Sequence, residues 1–155
     1  MAAQVGRGPI SADFVLRLGN ALGRVLALDV LEMQGIGGVD FIQGDFREDE
    51  VLQRFEALLG ERQPRLVMSD MAPNMSGVSL VDQARGMYLA ELALEFAKAH
   101  LRLDGAFLVK VFQGTDYDSF VKNMRESFAS VATRKPKASR DRSAELYLLG
   151  RNLRS

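Results

Sequence analysis

No cysteine occurs in the 155 residues. That excludes disulfides, thiolate nucleophiles and zinc-thiolate sites, and it suits a reducing compartment, which we read as the cytoplasm. Charge of one sign is lacking too: 20 Lys and Arg balance 20 Asp and Glu. Global charge therefore gives no pointer to nucleic acid. No apolar run approaches the ~18 residues of a membrane span. The start, Met1-Ala2-Ala3-Gln4-Val5-Gly6-Arg7, has no apolar stretch of the signal-peptide kind. Neither a membrane role nor secretion is read. The single histidine, His100, falls in a helical pattern without other ligand types around it. We assign it a structural role and read no metal site.

What is present is an alternation of apolar runs and helical patterns over a length that suits one domain, residues 1–155. Strands are expected over Arg24–Leu28, Val39–Gln43, Arg65–Ser69, Gly105–Phe112, Ala129–Thr133 and Glu145–Leu149. Helices are expected over Glu48–Leu59, Asp82–Leu101 and Tyr117–Phe128. The first carries Val51, Leu52, Phe55, Leu58 and Leu59 on one face. The second is read with a stripe of Tyr88, Leu92, Phe96 and Ala99. The third is read as capped by Asp116. This order predicts an α/β fold with a mostly parallel sheet. The connection between the last two strands is too short for a crossover helix, so those two should run antiparallel.

Ligands of open α/β sheets bind outside the carboxyl ends of the strands. Asp29, Asp45 and Asp70 all fall at such ends. Each alone is as well explained as a turn or cap residue, but three at one rim mark a site. An acid at the second strand end suits ribose hydroxyls, and Asp45 at the next end suits the exocyclic amine of adenine. Lys110 lies inside Val109-Lys110-Val111-Phe112-Gln113-Gly114, and Glu145 inside Ser143-Ala144-Glu145-Leu146-Tyr147. Charges on buried strands are costly unless paired. Lys110 is thus a functional candidate or half of an ion pair with Glu145. Arg134, Lys135, Lys137, Arg140 and Arg142 cluster within nine positions, opposed only by Asp141. The cluster reads as a solvated loop or as a phosphate-contacting one.

Taken together, Gln43-Gly44-Asp45-Phe46, Ser69-Asp70-Met71-Ala72-Pro73-Asn74, Val109–Gly114, and Arg134-Lys135-Pro136 leading to Ser139-Arg140 and Glu145-Leu146-Tyr147 resemble the FtsJ/RrmJ family. The resemblance runs from about residue 24 to the end; residues 1–23 diverge. It implies a Rossmann-like S-adenosylmethionine-dependent methyltransferase fold with an antiparallel last strand. It implies 2′-O-methylation of the ribose of a uridine in large-subunit ribosomal RNA, on the 50S particle, by a monomer. It makes Lys110 the catalytic base, with Asp70 and Glu145 on its acidic side. It gives Asp29, Asp45, Phe46 and Asp70 to the cofactor, and Arg134, Lys135, Arg140 and Arg142 to RNA. A catalytically weak RNA-binding remnant is the alternative. A dehydrogenase is disfavoured, because Gly35-Ile36-Gly37-Gly38 precedes a strand instead of opening a helix.

The family's first strand lies mid-sheet, between Arg24–Leu28 and Arg65–Ser69, and ends in a glycine-rich loop preceded by a second catalytic lysine. Only Gly6-Arg7-Gly8-Pro9-Ile10-Ser11 stands in the loop's place, with Ser11 able to cap a short helix through Leu18. Phe14–Leu18 could be extended. However, Gly19–Gly23 is too short for a parallel crossover. The sequence therefore predicts a missing first strand, two unpaired strand edges, marginal stability and impaired activity.

Overall fold

The computed structural model describes residues 14–18, 24–32, 35, 37–73, 76–135 and 145–154. They form seven strands and three helices: β1 (Phe14–Leu18), β2 (Arg24–Asp29), β3 (Val39–Gln43), α1 (Asp49–Leu59), β4 (Pro64–Ser69), α2 (Ser79–His100), β5 (Ala106–Phe112), α3 (Tyr117–Ser127), β6 (Phe128–Arg134) and β7 (Glu145–Leu153). One sheet holds all the strands in the order β3-β2-β1-β4-β5-β7-β6. Strands β2 and β3 pair in parallel, as do β4 and β5, while β7 lies antiparallel to both β5 and β6. Five strands, β2 to β6, therefore point one way, and β1 and β7 oppose them. The α/β fold and the antiparallel last strand are as the sequence predicts.

The centre of the sheet is not. The slot between β2 and β4 is filled by β1, running antiparallel to both. Leu16 pairs with Leu26 on one side and Val67 on the other. The expected helix through Leu18 is absent from residues 14–18, which are extended; Ser11 itself lies outside the described residues. The five-residue Gly19–Gly23 link does exclude a parallel crossover. It suits an antiparallel hairpin, which needs only a few residues between strands. The two edges expected to stand unpaired are thus satisfied, with strand polarity reversed. The reversal places Phe14 opposite Leu28 and Ser69, at the rim where β2 and β4 end.

All three helices pack on one sheet face. Val51, Phe55 and Leu59 of α1, Ala93, Leu94 and Ala97 of α2, and Phe120, Val121 and Met124 of α3 share a core with Leu26, Leu28, Val67, Phe107, Val109, Val111 and Leu148. The alternate strand residues Val25, Ala27, Val39, Phe41 and Met68 form a separate, smaller cluster on the opposite face. No helix residue among those described contributes to it. The α1 periodicity is as read. It ends at Gly60, whose φ of +68° is open to glycine at little cost.

Helix α2 differs from the reading. It starts at Ser79, one turn earlier, and Asp82 is buried in its first turn. The Asp82 carboxylate accepts hydrogen bonds from the Ser76 N–H and hydroxyl, both at 2.8 Å, and so pins the preceding loop. Its buried stripe is Met87, Ala90, Ala93, Leu94 and Ala97; of the expected stripe, Phe96 is buried and Leu92 packs partly against the core, whereas Tyr88 and Ala99 are exposed. Alanines and leucines surround this helix on most sides, so periodicity alone places only part of the stripe. Asp116 is the N-cap position of α3, but its side chain makes no capping bond. His100 has the structural role expected: its Nε2 lies 2.8 Å from Glu56 Oε2, and its ring packs on Phe96. Among the described residues, no helix is long and apolar enough to cross a membrane.

Candidate active site

The carboxyl ends of β2, β3, β4 and β5 share one rim, and β7, running the other way, brings its amino end to it. Register fixes who meets whom. Lys110 of β5 is opposite Tyr147 of β7, and Phe112 is opposite Glu145. Cross-strand partners project to the same side. Phe107, Val109 and Val111 enter the helix-covered core, so Lys110 alternates to the other face. There Lys110 Nζ lies 3.1 Å from Asp70 Oδ1 and 3.8 Å from Glu145 Oε2. Its side chain is only 10% exposed, against 39% for Asp70 and 34% for Glu145. The lysine is therefore nearly desolvated, while the carboxylates that balance it remain open to solvent. The structure brings together the three residues that the sequence selected, and Lys110 pairs with Asp70 more closely than with Glu145.

Tyr147 belongs to the same cluster and was passed over. Its hydroxyl donates to Asp70 Oδ1 at 3.0 Å, the oxygen that also meets Lys110. Burial, the Asp70 charge, the hydrogen bond to Asp70 and the Glu145 charge all push the phenol well above its usual pKa, in that order of size. Tyr147 thus stays a neutral donor through the whole physiological range. The signal was available: two residues beyond Glu145 on a strand means the same face.

Beside the cluster is a cavity of about 310 Å³, within the range of small-molecule sites. Its wall includes Asp29 at the end of β2 and Val30 after it, Asp45, Phe46 and Arg47 after β3, and Met71, Ala72 and Pro73 after β4. Asp29 is buried, and its Oδ1 accepts from the Leu31 N–H at 3.1 Å. Phe46 is buried, with its ring edge-on to Phe96. Asp70 is not on this wall; the three residues after it are, and its carboxylate faces Lys110 instead.

Arg47 was not singled out from sequence, and it occupies Asp45. The Arg47 Nε lies 3.0 and 3.1 Å from the two carboxylate oxygens; Nη2 and the backbone N–H also donate to Asp45. The side-chain bond from Arg47 is the chief cause that holds the Asp45 carboxyl below its ordinary pKa. Asp45 is consequently ionised at any physiological pH and open to further donors only by sharing.

Of the basic cluster, Arg134 is exposed at the end of β6, its Nη1 bonded to the Thr133 carbonyl. Lys135 donates from Nζ to the backbone carbonyl of Glu145, itself one of the catalytic candidates, at 2.8 Å. Arg140 and Arg142 lie outside the described residues.

The family model for FtsJ-like methyltransferases matches residues 11–153. The ribosomal RNA large subunit methyltransferase E of Dechloromonas aromatica is 71% identical over 140 residues, which is 90% of this chain and 68% of that protein. The enzyme of the same name from Chromobacterium violaceum is 58% identical over 153 residues, 98% of this chain and 75% of that protein. A crystal structure of a ribosomal RNA methyltransferase from Plasmodium falciparum superposes with a TM-score of 0.69 at 24% identity, covering 83% of this chain and 71% of that one. That likeness concerns the fold. With the family model spanning nearly the whole chain and relatives this similar, the protein belongs to the FtsJ-like methyltransferase family.

Proposed function

We propose that this protein transfers a methyl group from S-adenosylmethionine to the ribose 2′-hydroxyl of a uridine in large-subunit ribosomal RNA. It would act in the cytoplasm, as a monomer, on the 50S particle. The observation that carries this reading is the Asp70–Lys110–Glu145 cluster at the strand rim, next to a cavity sized for adenosine. The names of the relatives support the ribosomal substrate.

The cavity's donor set fits the adenosine half of the cofactor. Asp29 would hold the ribose hydroxyls, Asp45 the adenine amine, and Phe46 with Met71, Ala72 and Pro73 the apolar walls. When bound, the cofactor supplies an electrophilic methyl on a sulfonium, with a neutral thioether as leaving group. The chain itself has two tasks, orientation and management of one proton. A 2′-hydroxyl is a weak nucleophile until its proton leaves, and Lys110 Nζ, as the free amine, would be the acceptor in reach of the rim. As that proton arrives, positive charge builds on Lys110, and Asp70 at 3.1 Å and Glu145 at 3.8 Å stabilise it. Tyr147 holds the Asp70 carboxylate through the same oxygen that meets Lys110.

The decisive experiment incubates ribosomal large subunits lacking 2′-O-methylation with the chain and methyl-labelled cofactor, then hydrolyses the RNA in alkali. A 2′-O-methyl group removes the internal nucleophile, so the label should survive in an alkali-resistant dinucleotide. Label released as a mononucleotide would place the methyl on a base and end the ribose reading.

Two further results are expected. Asp45→Ala should weaken S-adenosylhomocysteine binding by roughly 1–3 kcal/mol, the scale of a lost charged hydrogen bond. Titration calorimetry reads this, and equal affinities would remove Asp45 from the cofactor site. Arg140→Ala with Arg142→Ala should lower the slope of log affinity for RNA against log salt by about one unit per lost phosphate contact. An unchanged slope would return the basic stretch to an ordinary solvated loop.

A further inference from the structure

Phe112 stands two residues beyond Lys110 on β5, and its ring centroid is 6.0 Å from Lys110 Nζ. The ring is half-buried and lines a small depression with Leu80, Ala84, Gly114 and Thr115. Its seat is built by the facing helix. A Cβ on Gly86 of α2 would come within 2.8 Å of two carbons of this ring. Glycine is, after proline, the least favourable residue for a helix interior. Gly86 lies in the middle of α2 all the same, where it leaves room for the ring. Of the depression's lining, Leu80 is 70% exposed; its chain neighbour Val81 and Val78 before the helix are exposed as well, at 38% and 55%.

We propose that Phe112 is the stacking platform for the base of the nucleotide being methylated, held in place by Gly86. This rests on the ribose-methylation reading and names the contact that orients its substrate. The 2′-oxygen and the base hang from adjacent ribose carbons. A hydroxyl delivered to Lys110 therefore brings its own base within about one ring's breadth, which is where the Phe112 ring lies. Aromatic rings stack on bases at centroid separations of ~4.5–7 Å, with little preference for which base. The platform fixes the sugar's position, and readout of a particular base must come from elsewhere.

Fluorescence anisotropy with the whole chain and two labelled RNAs tests this: a short oligouridylate, and an abasic ribose-phosphate oligomer of the same length. The unmodified chain should prefer the oligouridylate. Stacking is worth roughly 5- to 150-fold in affinity. Phe112→Ala should remove that preference and leave the salt slope unchanged, since no phosphate contact is lost. Phe112→Leu preserves the packing volume and should lose the preference equally. Gly86→Ala should weaken the preference with Phe112 still present, because its Cβ displaces the ring. Circular dichroism verifies that each variant folds. If all three variants keep the original preference, the platform is overturned while the RNA reading stands. If the unmodified chain binds both RNAs equally, the platform is overturned as well, and if it binds neither, the RNA reading falls with it.

Discussion

Replacing Lys110 with alanine should abolish measurable methyl transfer while leaving S-adenosylhomocysteine affinity nearly unchanged. General base catalysis contributes typically 10²–10⁴-fold, and Lys110 carries the nearly buried amine of the rim cluster. It does not line the cofactor cavity, so its loss should appear in kcat and not in nucleoside binding. Lys110→Arg should fail to restore activity, because a guanidinium keeps its proton under all ordinary conditions. The variant should fold: Asp70 retains its bond from Tyr147 and is exposed enough to be hydrated. Single-turnover methylation with calorimetry on the same preparations reads both quantities. Turnover within a few-fold of the original in Lys110→Ala would end the lysine-base mechanism.

The second large effect concerns the middle of the sheet. Leu16→Pro should unfold the protein or leave it close to unfolding. Leu16 sits in the one strand flanked by β2 and β4, paired with Leu26 and Val67. Proline supplies no N–H to either ladder and is confined to edges and bulges in sheets. Leaving a buried ladder partner unsatisfied costs about 1–3 kcal/mol, on top of the ring's clash with the strand, out of the 5–15 kcal/mol that holds a typical domain together. Deleting residues 1–18 should be worse, because β2 and β4 then face an empty slot. Urea unfolding followed by circular dichroism measures both. A Leu16→Pro midpoint equal to that of the original chain would mean that β1 contributes nothing to the sheet.

Several parts of this architecture could be read from residue order alone. Val51, Phe55 and Leu59 recur at helical spacing, so α1 was evident. Arg24–Leu28, Val39–Gln43 and Gly105–Phe112 are apolar runs bounded by turn residues, and each is a strand or the body of one. Asp29, Asp70 and Lys110 were legible as site candidates because ionisable groups at the ends of buried strands are expensive unless they serve a purpose. Helix α2 was legible as a helix but not in its orientation. Alanine and leucine lie nearly all round it, and only contact with β5 decides that Gly86 and Met87 face inward and Tyr88 outward.

From β2 onward, the sequence by itself determined the order of helices and strands, the family-like motifs and the rim to which the acids and Lys110 belong. These depend on local periodicity and on how strands terminate, and both are written in consecutive residues. The polarity of β1 was decided by the tertiary structure. A five-residue link permits a hairpin and forbids a crossover, but only the vacant slot between β2 and β4 makes Phe14–Leu18 a central strand. The partnership of Tyr147 with Asp70, 77 residues apart, likewise depends on the β5–β7 register. So does the seat of Phe112 on Gly86, which is set by how α2 packs across β5. A residue pair far apart in the chain acquires its meaning from pairing and packing, which consecutive residues do not encode.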